Sequence, residues 1–149
     1  MCRISILLIL ISLLTSEGYS QTDSSFKNRI DSILLSRRFE KVKKIKVAKN
    51  GYNVRYFYSK SNNQLEMIEV TEKIEEERWI LNYYFVNNEF VKLNKWNNRL
   101  PKDPKRAVSN YYFTSNKLVF SEENNTRVTD MNEQLQRIMT LKSSSPRYL

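Results

Sequence analysis

The run from Trp79 to Leu93 constrains the chain more than any other: Trp-Ile-Leu-Asn-Tyr-Tyr-Phe-Val-Asn-Asn-Glu-Phe-Val-Lys-Leu. Two runs rich in aromatic and β-branched residues flank Asn87-Asn88, and asparagine tolerates the positive φ that a tight hairpin turn demands. A shortened echo follows 28 positions later, from Tyr111-Tyr112-Phe113 through Ser115-Asn116 to Leu118-Val119-Phe120. A looser version precedes it: Tyr56-Phe57-Tyr58, a polar stretch from Ser59 to Asn63, then Leu65-Glu66-Met67. Aromatic strand, polar turn and aliphatic strand thus recur, as a meandering antiparallel sheet requires. Trp79, Leu81, Tyr83 and Phe85 alternate with Ile80, Tyr84 and Val86, so this strand is apolar on both sides. It belongs mid-sheet, with something covering each face.

Upstream, Lys44 to Lys49 and Tyr52 to Ser59 read as strands joined at Asn50-Gly51, the strongest short hairpin signal in the chain. Leu65 and Met67 point one way while Ile68 and Val70 point the other, a phase change that predicts a bulge or burial on both faces. Glu72 to Glu77 forms an acidic tip before the central strand. Trp96 to Arg106, with two prolines, reads as the longest loop, and Ala107 to Phe120 as the last hairpin.

Helical spacing brackets the sheet. Phe26, Ile30, Ile33 and Leu34 share one face of a helix that Thr22 or Asp23 can cap and that runs to about Phe39. Met131, Leu135, Ile138 and Met139 repeat the spacing in a second helix, capped by Thr129 and running to about Lys142. These readings predict the α+β class: an N-terminal helix, an antiparallel meander of about seven strands, and a C-terminal helix.

The first twenty residues have a different character. Arg3 is followed by the apolar run Ile4 to Leu14, then Gly18-Tyr19-Ser20, which fits a signal peptide cleaved before Gln21. The apolar run spans only about 16 Å as a helix, roughly half a bilayer core, so no transmembrane span is expected in the mature chain. The expected organisation is a signal peptide over 1–20 and a single domain over 21–149, with 143–149 a flexible tail. The product is expected to be exported, to the periplasm or the extracellular space.

Composition limits the chemistry. The chain has no histidine, and its one cysteine, Cys2, lies in the signal segment. The commonest proton-transfer group and the usual zinc and thiolate ligands are therefore missing from 21–149. Glu75, Glu76 and Glu77 are adjacent, so a strand would send neighbours to opposite faces; a carboxylate pair for a hydrolase is not expected there. The reading is of a protein that is not an enzyme and needs no cofactor or metal.

Charge is more informative, with 25 Lys and Arg against 16 Asp and Glu, a formal net charge of +9. A basic cluster brackets Trp96 in the long loop: Lys92, Lys95, Arg99, Lys102, Lys105 and Arg106. Basic residues beside an aromatic suit phosphates and other anions. The candidate binding residues are Trp96, Arg99, Lys102, Lys105 and Arg106. The partner expected is an acidic protein, a polysaccharide or a lipid headgroup rather than nucleic acid. The alternative is a carrier of lipid or another hydrophobic ligand, using a gap between sheet and helices.

The repeated Tyr-Tyr-Phe, Asn-rich turn and Leu/Phe-Val run, behind a signal ending Ser20-Gln21, resembles small exported bacterial proteins of uncharacterised family. The aromatic-turn-aliphatic unit is similar to hairpin repeats of the MORN type, although those depend on regular glycines and only Gly51 is present after the signal. A curved sheet covered by helices is also similar in architecture to lipoprotein carriers, a likeness that carries no residues across.

Overall fold

The computed structural model describes residues 24–37, 42–49, 52–99, 103, 106–124 and 130–146, with residues 42–49 described as backbone alone. The expected signal peptide and its cleavage site, the Asn50-Gly51 turn, Thr129 and the last three residues lie outside the described residues. The chain falls into two compact units, Met1–Arg38 and Phe39–Leu149, so the expected 21–149 domain is divided between them.

In the first unit, helix α1 spans 24–37. Lys27 and Asp31, one turn apart, form an ion pair at 3.6 Å, and the Arg29 guanidinium lies 5.3 Å from the Phe26 ring centre.

The second unit holds strands β1 (Val42–Lys49), β2 (Tyr52–Ser59), β3 (Leu65–Ile74), β4 (Glu77–Val86), β5 (Glu89–Asn97), β6 (Val108–Thr114) and β7 (Lys117–Asn124), followed by helix α2 (Met131–Ser143). The sheet order is the sequence order, β1 to β7, with every pair antiparallel. Six of these strands, β2 to β7, are described with their side chains and form the predicted meander; β1 adds its backbone register along β2.

The repeats in sequence are repeats in structure. Asn87 and Asn88 have φ of 51° and 67°, and Ser115 and Asn116 have 48° and 60°, so both turns occupy the left-handed region twice, as a type I′ hairpin requires. Each is followed by the same irregularity. Pairing steps from Tyr84–Lys92 to Phe85–Phe90, leaving Val91 over. It steps from Tyr112–Phe120 to Phe113–Leu118, leaving Val119, 28 positions on. In the first repeat Phe57 pairs with Met67 and Tyr58 with Leu65, so Glu66 is the extra residue. That bulge is the source of the phase change read between Leu65 and Ile68: the inserted residue returns Leu65 to the same face as Ile68 and Val70.

One face of the sheet is the core. Val54, Tyr56, Ile68, Val70, Leu81, Tyr83, Leu93, Tyr111 and Phe113 are each 1% exposed or less. Phe90 links neighbouring strands through ring contacts with Tyr83, Phe85 and Phe113, the last at 4.6 Å. The opposite face of β4 is only half-buried at Ile80, Asn82, Tyr84 and Val86, so the strand is not buried equally on both sides as its composition suggested. Asn82 sits in register with Asn94, and Asn94 with Asn110. The Asn94 side-chain amide donates to Asn110 Oδ1 at 3.0 Å. This polar row interrupts the apolar outer face.

Helix α2 covers the core face. Asp130 caps it, its side chain accepting from the Asn132 and Glu133 amides at 2.9 and 3.2 Å. Thr129 had been the expected cap, one residue early. Ile138 and Leu141 are buried, worth about 1.5–3 kcal/mol each in area removed from water, and Met131 and Leu135 pack half-buried. Met139, predicted on the docked face, is 48% exposed, while Gln134 is buried. The true contact face runs through 134, 138 and 141, which Gln134 hid from a reading of apolar spacing. The expected flexible tail is held as far as Pro146, whose carbonyl accepts from the Tyr58 hydroxyl at 3.0 Å.

Candidate functional site

The expected basic cluster is spread by strand geometry. β5 continues to Asn97, so Trp96 lies on a strand in register with Ile80 and Val108, not in a loop. Strand alternation then separates the two lysines before it. The Lys92 amine lies 4.7 Å from the Tyr112 ring centre, on the outer face. Lys95 is 8% exposed on the core face, its amine 4.9 Å from the Trp79 ring centre.

Arg99 is committed to two carboxylates. Its Nε donates to Glu77 Oε1 at 2.9 Å and Nη2 to the same oxygen. Nη1 donates to Asp103 Oδ2 at 3.2 Å. The hydrogen bonds to Glu77, then those to Asp103, hold the guanidinium above its ordinary pKa. Glu77 also accepts from the side-chain amide of buried Asn97, at 3.2 Å. Asn97 Oδ1 takes the Ala107 amide at 2.9 Å. Together these groups clasp the two ends of the β5–β6 connection. Arg106 is half-buried, and its amide donates to the Asp103 carbonyl at 3.0 Å. Lys102 and Lys105 lie outside the described residues. Glu72, expected in the acidic tip, belongs to β3, and the turn itself is Glu75-Glu76, with Glu75 at φ 56°.

A different group of residues converges at the other end of the sheet. The turns of β2–β3, β4–β5 and β6–β7 all lie at that end because the meander alternates, and α2 finishes there. Between the last two turns and α2 is an open cleft of about 220 Å³. Phe85, Phe90, Ile138 and Met139 supply its apolar surface; Asn88, Glu89, Ser115, Asn116 and Lys142 supply its polar surface. Lys142 reaches from the helix to the β4–β5 turn, donating to the Asn88 carbonyl at 2.6 Å, with its amine 5.5 Å from the Phe85 ring centre.

Buried tyrosines fix α2 above this end. Tyr56 donates to the Leu141 carbonyl at 3.2 Å and Tyr83 to Gln134 Oε1 at 2.6 Å. Burial raises the pKa of both phenols, most for Tyr83, where Arg137 opposes the rise and Glu72 and Glu133 add to it. Arg137 Nη2 meets Glu72 Oε2 at 2.6 Å, and its guanidinium lies 5.0 Å from the Tyr52 ring centre. Burial works against the Arg137 charge; the hydrogen bond to Glu72 and the surrounding charges outweigh it and leave the pKa raised.

The reading of the sequence missed the cleft. Its signal was present in the 28-residue echo, which puts Asn88 and Asn116 at equivalent turns, but its third wall comes from a helix with no sequence link to either. Among the described residues, no group of three or more His, Cys, Asp or Glu is placed to hold a metal ion. No helix among them is long and apolar enough to cross a membrane. Comparison with known proteins gives no match to a family model, a curated protein or a solved structure.

Proposed function

We propose that the chain is an exported, non-enzymatic binding module that receives an apolar group of its ligand in the cleft between the two hairpin turns and α2. The observation that carries this reading is the cleft itself, with an aromatic and aliphatic floor and a few polar groups at the rim, the usual make-up of a ligand site. Its walls are preorganised: both turns are two-residue hairpins with left-handed geometry, and Lys142 ties the helix to one of them.

Size selects among ligands. About 220 Å³ is below the roughly 300–1,000 Å³ of pockets that take drug-sized molecules. The open cleft seats a single side chain or a short branched chain of its ligand. Of the two expectations from sequence, the cleft favours the carrier of lipid or another hydrophobic ligand over the basic surface. The basic-surface reading loses Arg99 to Glu77 and Asp103 and Lys95 to the core face.

Thermal unfolding with small neutral alcohols tests the proposal. A ligand that binds only the folded state stabilises it by RT ln(1 + [L]/Kd). Isopentanol is expected to raise the Tm of the natural chain and to have no such effect on Met139→Trp, whose indole occupies the cleft. Equal behaviour of the two proteins would remove the cleft from the account.

A further inference from the structure

The polar rim of the cleft carries two opposite charges, and their arrangement says more about the ligand than the apolar floor does. Glu89 opens β5 and Lys142 lies in the last turn of α2. Among the described residues neither makes an ion pair: Lys142 gives one hydrogen bond to the Asn88 carbonyl and contacts the Phe85 ring, and Glu89 has no polar partner. An ammonium has three donors, so two of those of Lys142 remain for a ligand.

The C-terminus of α2 presents the negative end of its dipole to this region. Its last carbonyls are taken up within the protein: that of Thr140 by the Ser143 and Ser144 hydroxyls and the Ser144 amide, that of Leu141 by the Tyr56 hydroxyl, and that of Lys142 by the Ser145 amide. Glu89 favours a positive group; Lys142 favours a negative one. A ligand with a single charge would gain at one of these positions and lose at the other.

Resting on the cleft reading above, we propose that the ligand is zwitterionic: a free α-amino acid with an apolar side chain. The side chain lies on Phe90, Ile138 and Met139, the carboxylate faces Lys142, and the ammonium faces Glu89. The turn residues Asn88 and Asn116 leave amide groups at the rim for the ligand's remaining hydrogen bonds.

Calorimetric titration with L-leucine and three truncated analogues tests this: 4-methylpentanoate lacks the ammonium, isopentylamine lacks the carboxylate, and isopentanol lacks both. Leucine is expected to bind tightest, with each singly charged analogue weaker by about fivefold or more, the scale of one partly exposed charge pair. Glu89→Gln is expected to abolish the preference for leucine over 4-methylpentanoate, and Lys142→Met the preference over isopentylamine. Should Lys142→Met lose its fold, Lys142→Arg keeps the charge and is expected to keep the preference. If the analogues bind as tightly as leucine, or isopentanol binds and leucine does not, the zwitterion is overturned while the cleft stands. If none of the four binds, both readings fall.

Discussion

Tyr83 and Gln134 meet at 2.6 Å, a buried hydrogen bond between the middle strand of the sheet and the first half of α2. Both side chains are buried, so each satisfies a polar group that the other would otherwise leave stranded. Tyr83→Phe removes the donor and leaves Gln134 Oε1 without it. The expected cost in urea unfolding is about 1–3 kcal/mol. Tyr83→Phe combined with Gln134→Leu is expected to recover part of that loss, because no buried polar atom then remains.

Alkaline pH acts on the same contact. Burial raises the Tyr83 pKa above its ordinary value, and burial raises those of Tyr56 and Tyr58 as well. A raised folded-state pKa means that the folded protein holds its protons longer than the unfolded chain. The contribution is complete below the unfolded pKa of about 10 and declines as pH rises beyond it. Tyr83 alone is expected to give a slope of about −1.4 kcal/mol per pH unit above that point. Denaturant midpoints measured at intervals from pH 9 upward check this, and Tyr83→Phe should show a shallower decline.

Glu72 and Arg137 bind α2 to β3 with side chains each 18% exposed. Neutralising one leaves the other charged and largely out of water. Glu72→Gln or Arg137→Met is expected to cost about 2 kcal/mol, somewhat less than a fully buried pair. Changing both is expected to cost less than the sum of the two. A double-mutant cycle by chemical unfolding gives the coupling directly.

The two repeated turns differ in one residue, which makes them a controlled comparison. Asn87 and Ser115 occupy equivalent positions at φ 51° and 48°. Asparagine accommodates the left-handed region better than serine. Ser115→Gly is expected to raise stability by about 0.5–1 kcal/mol, and Asn87→Ala to lower it by a similar amount. Thermal unfolding of the two variants separates these effects.

The fold was legible where a local rule and the sheet agreed. Period-two alternation and the turn pairs Asn87-Asn88 and Ser115-Asn116 placed strands β4 to β7 and their order, and the phase change at Leu65 left a bulge or burial on both faces, of which the bulge is found. Legibility failed where partners came from distant parts of the chain. Trp96 looked like loop because prolines follow it, yet pairing with β4 and β6 extends β5 to Asn97. Arg99 looked like a binding residue because nothing local reveals Glu77, 22 positions away, as its partner. Gln134 has no place in a pattern of apolar spacing, and its burial is tolerable because Tyr83 donates to it. The cleft failed for the same reason: Asn88, Asn116 and Lys142 meet only after the hairpins stack and the helix docks.

Amide chemical-shift mapping during titration with isopentanol reads whether this cleft receives the ligand's apolar group. Saturable shifts are expected, concentrated at Asn88, Phe90, Asn116, Ile138 and Met139, and lost in Met139→Trp. Shifts that centre instead on Trp96, Arg99 and Arg106, or that leave the cleft amides unmoved at saturation, would contradict it.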